Sequence, residues 1–371
     1  MIFRKHRLST GEILFLGILG GMFIFISRIS LTVREAPLYD LKMKAASRTL
    51  EAYRLIKAER LKRGIPIDPV DDPMESGFIG YKDSPITTSG GNYDAKLTSI
   101  NPNWAALVVQ MLRELGVKEG DTVALHMTGS FPALDVAVII GVEEYGAVPV
   151  WGSSIGSSSW GANIPEFTWA DMEKVLYDRG LIHGRSVVAS IGGNNDVGAG
   201  LPDSSRELIR EAIRRNGLKL LEVLPLQAAV DSEYRYLTAG GEPVLYINIG
   251  GGVISLGTVE VKRILREGIN GPSIYPMIMD EPVEGLVARF LKQGKYVINF
   301  LEIVRLARRY GLPVSPASMP EVGTGPLFYQ PRYPVVLHVF LLVVYIVIII
   351  LTLNGVFGKV FGNPPRKEEM L

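Results

Sequence analysis

The stretch of this chain most suited to chemistry is residues 126–135, HMTGSFPALD. A β-branched, apolar run, Thr122-Val-Ala-Leu125, leads into it, and an apolar pattern of helical period follows. A Gly129-Ser130 pair at a strand-to-helix turn suits a nucleophile, a hydroxyl aimed at an anion, or a helix cap. The cap reading is strong, because Pro132 then falls near the first helical position. The nucleophile reading needs a base, and histidine is the usual one. His126 lies four residues upstream, and the turn breaks the strand alternation that would align it with Ser130. His183 precedes a later strand and is expected at the opposite end of the sheet. Glu143 and Glu144 fall at the far end of the following helix. Asp196, on another loop, is left as a weak partner for Ser130, and no G-x-S-x-G elbow is present.

Residues 193–196, Gly-Asn-Asn-Asp, match the G-x-N-D block of SGNH-type esterases, in which the asparagine helps to form an oxyanion hole. The other blocks are missing. Gly129-Ser130-Phe131 stands where G-D-S is needed, and Gly180 and Val123, three residues before His183 and His126, are not acidic. The assignment is rejected on those grounds.

The elements that must position these residues follow a regular alternation. From Asn101 the pattern reads helix to Leu115, strand Thr122–Met127, helix Phe131–Tyr145 and strand Ala147–Trp151. A Ser/Gly loop, helix Trp169–Arg179 and strand Ser186–Ile191 come next. Helix Ser204–Asn216, strand Leu218–Leu224, helix Gln227–Leu237 and strand Val244–Ile249 follow, then helices to Gly311. Alternating strands and helices imply an α/β fold with a doubly wound, mostly parallel sheet. In such sheets ligands bind beyond the carboxyl ends of the strands. Four strands here run into small polar or glycine-rich loops: MTGS (127–130), WGSSIGSSSWGAN (151–163), IGGNND (191–196) and NIGGG (248–252). If these loops converge, Thr128, Gly129, Ser130, Ser153, Ser154, Asn194, Asn195, Asp196, Gly250 and Gly251 form one binding crevice, with Ser130 its candidate catalytic residue. Thr87-Thr88-Ser89-Gly90-Gly91 and Thr98-Ser99 are further hydroxyl clusters that fit a lid. Trp151 and Trp160 are costly to leave in water, so the loop that carries them should pack.

Composition narrows the classes. The chain has 371 residues, a formal net charge of +1, no cysteine and four scattered histidines. It has no electrostatic footprint for nucleic acid, no thiol nucleophile and no metal-ligand spacing. Neither G-x-x-x-x-G-K-[ST] nor G-x-G-x-x-G occurs, so a nucleotide is poorly supported and no cofactor is implied.

Both ends are apolar. Residues 13–27, ILFLGILGGMFIFIS, follow Arg4, Lys5, His6 and Arg7, with no A-x-A-like cleavage site afterwards, which fits an uncleaved anchor. Residues 335–353, VVLHVFLLVVYIVIIILTL, carry no formal charge and are long enough to span the hydrocarbon core. The division expected is a tail and anchor (1–33), an amphipathic helix and packed loop (34–100), an α/β domain (101–330), a transmembrane helix (334–354) and a second tail (355–371). Arg4, Lys5 and Arg7 at one end, and Lys359, Arg366 and Lys367 at the other, favour cytoplasmic tails and an extracellular main domain, although basic residues also follow the first span.

The segments SPITTSGGNYDAKLTSINPNWAALVV (84–109), ALHMTGSFPALDVAV (124–138) and WGSSIGSSSWGANIPEFTWADME (151–173) resemble the poly-γ-glutamate system proteins. These are bacterial membrane proteins found with poly-γ-glutamate synthase and export components. The resemblance covers most of residues 75–260 and carries no established catalytic residues. It implies an accessory role in synthesis or export, with the polymer or its synthase and export subunits as partners. Alternatives are a membrane-anchored serine hydrolase or transferase acting on the polymer, and a scaffold for membrane subunits.

Overall fold

The computed structural model describes residues 8–357. Arg4, Lys5, Arg7, Lys359, Arg366 and Lys367, on which the expected orientation rests, lie outside the described residues, as does most of the second tail. The chain divides into two compact units, one of residues 36–328 and one that joins the two ends of the chain.

In the terminal unit, helices Thr10–Ile29 and Val335–Leu353 are long and apolar enough to cross a membrane. Ser9 and Glu12 cap the first reciprocally, serine accepting from the Glu12 N–H and glutamate accepting from the Ser9 N–H. The two helices touch: Tyr345 Oη donates to the Leu16 carbonyl at 3.1 Å, and Ser27 Oγ lies 2.6 Å from His338 Nε2. Thr32–Glu35 and Tyr329–Arg332 pair antiparallel just beyond them. The apolar side chains on both helices are largely exposed.

The larger unit is built on a seven-stranded sheet. Its strands in chain order are β1 (Thr122–Thr128), β2 (Val148–Ser154), β3 (Val188–Ser190), β4 (Leu220–Leu221), β5 (Leu245–Ile249), β6 (Gly268–Asn270) and β7 (Tyr296–Phe300). Their spatial order is β6-β7-β5-β1-β2-β3-β4. All neighbours are parallel except the edge pair β6 and β7. The chain thus winds outward from β1 to β4, then crosses back to lay β5 on the other side of β1. A topological switch point therefore falls between β1 and β5.

The period-2 alternation of the central strands divides the core. Val123, Leu125, Met127, Ile247 and Ile249 pack with helices Tyr39–Lys62, Trp104–Glu114 and Pro132–Tyr145 on one face. Ala124 and Tyr246 pack with helices Leu226–Leu237 and Leu286–Lys292 on the other. Helix Tyr39–Lys62 belongs to this unit, and its Tyr53 Oη donates to the Ala133 carbonyl.

Two differences from the sequence reading stand out. The region after residue 252, read as helical to Gly311, contains strands β6 and β7. Within Tyr296–Phe300 the run Val297-Ile-Asn-Phe300 is buried on both faces, and such a run has no alternation to distinguish it from a helix. The helix expected to begin at Phe131, with Ser130 as its cap, begins at Pro132 and has Phe131 at its N-cap position, with no side-chain cap. The loop of residues 151–163 is packed: Trp151 is buried, and only Trp160 within it is partly accessible.

Candidate functional site

A cleft of about 540 Å³ opens at the carboxyl edge of the sheet. Thr128 and Ser130 line it from the end of β1, Ser154 and Ser158 from β2 and its loop, Asn194 from β3, and Gly251 and Gly252 from β5. The four small-residue loops therefore converge at the switch point. The segment Thr88-Ser89-Gly90-Gly91 forms a further wall. It is fastened by Asn163, whose Oδ1 accepts from the Tyr81 N–H at 2.8 Å and whose Nδ2 donates to Thr87 Oγ1 at 2.9 Å. Thr98 and Ser99, grouped with that segment in the sequence, turn inward to the carbonyls of Asp94 and Lys96 and do not line the cleft.

Of the expected ligand-binding residues, Thr128, Ser130, Ser154, Asn194 and Gly251 line the cleft, whereas Gly129, Ser153, Asn195, Asp196 and Gly250 do not. Ser153 and Ser154 are successive strand residues and face opposite sides of the sheet. Ser153 Oγ is bonded to Ser186 Oγ at 2.7 Å and accepts from Trp169 Nε1 at 3.1 Å, away from the cleft. Asn195 points to solvent, and Asp196 lies beneath the cleft floor.

Ser130 Oγ accepts from the Ser158 N–H at 3.1 Å, and among the described residues no basic side chain is hydrogen-bonded to it. The geometry of a Ser130 nucleophile is therefore missing. The buried cation of the cleft wall is Lys96, which no sequence signal singled out; exposed Lys262 and Glu302 also line the cleft. Asn92 caps its short helix, accepting from the Ala95 N–H. Lys96 is 2% exposed, and its Nζ donates to the Ser130 carbonyl and, at 2.8 Å, to Ser158 Oγ. It also lies 4.4 Å from the centre of the Phe131 ring. Burial lowers its pKa from the ordinary 10.5 to about 7, against an opposing pull from Asp135. Asp135 is itself fully buried, and neither carboxyl oxygen has a hydrogen-bond partner. Burial raises its pKa well above the usual carboxyl value, with the nearby Lys96 acting in the opposite sense. The Thr128 hydroxyl, 4% exposed at the cleft floor, also has no partner.

Beneath that floor lies a second group of polar side chains. His126 and Thr128 share a face of β1, and the β1–β2 register sets Thr128 opposite Ser154 and His126 opposite Gly152. His126 Nε2 is 3.1 Å from Ser154 Oγ, and His126 Nδ1 is 2.7 Å from Glu233 Oε1. Glu233 comes from helix Leu226–Leu237, under the sheet. It fits only because position 152 is glycine, since a Cβ there would overlap its carboxyl group. Burial opposes charge on His126, yet Glu233 outweighs it and raises the imidazole pKa. Ser154 Oγ also donates to Asp196 Oδ1 at 2.9 Å and lies 3.1 Å from Ser190 Oγ. Asn195 and Asp196 both adopt positive φ, 53° and 61°, which holds the carboxyl group against these serines. Burial raises Asp196 from 3.8 to about 7, the nearby His126 acting in the opposite sense. Sequence reasoning tested His126 only against Ser130. Its actual partner sits on the adjacent strand, at a register that the alternation alone does not reveal.

Fold and site together define an α/β protein with a hydroxyl-lined cleft at its switch point, containing one buried amine and, beneath it, one glutamate-bound histidine. No protein-family model, curated protein or solved structure matches the chain.

Proposed function

We propose that this protein is an accessory membrane component of bacterial poly-γ-glutamate synthesis or export, whose cleft binds the carboxylates of the polymer. The observation that carries the reading is the Lys96 amine, at a wall built of hydroxyls and next to the first turn of helix Pro132–Tyr145. A carboxylate entering the cleft would meet a cation, the unpartnered Thr128 hydroxyl and the positive end of a helix. The three long segments that resemble the poly-γ-glutamate system proteins name the polymer; the geometry supports only the carboxylate.

The membrane arrangement belongs to the same proposal. Both apolar helices cross the membrane, both tails are cytoplasmic, and residues 36–328 lie outside in the bacterial cell envelope. Support comes from the basic residues at both ends of the sequence and from the contact between the two helices.

Titration of the full chain in detergent with poly-γ-glutamate tests the binding. Saturable, salt-sensitive binding is expected, weakened at least tenfold in Lys96→Met. An absence of binding, or equal binding by the variant, refutes it. Labelling of a cysteine introduced at exposed Glu242 in intact cells tests the topology, which predicts reaction with an impermeant thiol reagent.

A further inference from the structure

We propose that Ser154, His126 and Glu233 form a nucleophilic triad that cleaves an acyl bond, an amide or ester, held in the cleft. Three independent features meet at this place. The distances, 3.1 Å from Ser154 Oγ to His126 Nε2 and 2.7 Å from His126 Nδ1 to Glu233 Oε1, are those of a serine, its base and the group that orients the base. The members come from β1, β2 and helix Leu226–Leu237, so the fold, and not local sequence, assembles them. The access is also built. Ser154 lines the cleft although it is only 3% exposed, and a Cβ on Gly252, also in the lining, would start 3.1 Å from His126 Nε2. Glycine there leaves the imidazole nitrogen and the serine oxygen approachable from the same side.

Asp196 and Ser190 fit this role as positioning residues. In the structure Ser154 Oγ donates to Asp196 Oδ1; protonation of Asp196 would reverse that bond and turn the serine hydrogen toward His126 Nε2. An ionised Asp196 accepts that hydrogen instead and draws it away from the base. The strained turn that places Asp196 is of the kind found where geometry serves a site.

The reaction balances with water as the only co-reactant. Ser154 Oγ attacks the carbonyl carbon as its proton passes to His126 Nε2. The carbon–nitrogen or carbon–oxygen bond then breaks, and the same proton goes to the departing amine or alcohol, leaving an acyl-serine ester. Water attacks that ester, giving its proton to His126. The serine–carbonyl bond breaks, and the proton returns to Ser154 Oγ. Glu233 holds the imidazole by its Nδ1–H and balances the imidazolium in both halves. That the acyl chain bears carboxylates rests on the binding reading given above; the triad itself does not.

The test is covalent labelling of the full chain in detergent with an uncharged fluorophosphonate, followed by peptide mapping. Phosphonylation of Ser154, with loss of fluoride, is expected. Its rate should fall at least a hundredfold in His126→Gln and be restored by no other histidine. Label on Ser158 or Ser130 instead, or no label on a chain that retains its native melting transition, overturns the proposal. So does labelling of Ser154 at an unchanged rate in a folded His126→Gln. If His126→Gln does not fold, Glu233→Gln takes its place. There the labelling rate should fall and its pH profile shift, and an unchanged profile also overturns the proposal. Titration of the unlabelled full chain with poly-γ-glutamate separates the two readings: labelling of Ser154 without polymer binding keeps the triad and overturns the carboxylate reading alone, and binding without labelling does the reverse.

Discussion

Replacing Lys96 by methionine should stabilise this protein at neutral pH while weakening the proposed carboxylate binding at least tenfold. The lysine is almost fully buried, and burial takes its pKa from 10.5 to about 7. The sign follows from proton binding. Between those two values the unfolded chain holds a proton on this amine that the folded chain does not, so the group's contribution to stability improves as pH rises. The cost is absent above 10.5, grows as pH falls, and levels off below about 7. At about 1.4 kcal/mol for each tenfold, it reaches about 5 kcal/mol. Methionine removes that cost and nearly keeps the volume. It also leaves the Ser130 carbonyl without its donor and gives up the contact with the Phe131 ring, a loss of about 1–3 kcal/mol that does not depend on pH. The net gain at pH 7 is therefore about 2–4 kcal/mol, changing to a small loss near pH 10.5. Urea titrations of both full chains in detergent from pH 6.5 to 10.5 measure it. Lys42, lowered to about 8 mainly by burial, tilts both curves in the same direction and cancels in the difference. A difference that is flat across this range, or a variant clearly less stable at pH 7, would refute the reasoning.

Other outcomes follow from the same geometry. Carboxylate binding should raise the Lys96 pKa and take up protons near pH 7, so affinity should decline as pH rises beyond 7; calorimetry in buffers of different ionisation enthalpy measures the uptake. Gly152→Ala would drive a methyl group into the Glu233 carboxyl, and a destabilisation of about 1–3 kcal/mol in urea titration is expected, with loss of Ser154 labelling. Ser130→Ala removes only an acceptor of the Ser158 N–H; it should cost about 1 kcal/mol and leave labelling of Ser154 intact. Asn163→Ala releases the segment that walls the cleft, and amide hydrogen exchange should quicken at Tyr81 and Thr87 without change in the central strands.

Much of the frame is legible in the sequence. The alternation from Asn101 to Ile249 identifies an α/β sheet, because buried strands and helices leave different apolar periods. Small-residue loops after four of the parallel strands mark the carboxyl edge as the site, because a parallel sheet puts all those ends on one side. The two apolar helices are visible from length and lack of charge alone. Strands β6 and β7 are not legible in this way, since three residues, or four buried on both faces, have no period to read.

What the tertiary structure alone decided is the identity of the chemical groups. Lys96 reads as an ordinary helix cation until the fold closes Phe131, Ser130 and Ser158 around it. Ser130 reads as the candidate catalytic serine because it follows glycine at a turn, yet the histidine lies beside Ser154, 24 positions later. Glu233 lies 107 residues from the histidine it orients. Periodicity governs which face of its own strand or helix a side chain takes. Which residue of another element it meets depends on register and on the path of the crossover, and those are settled only when the whole sheet packs.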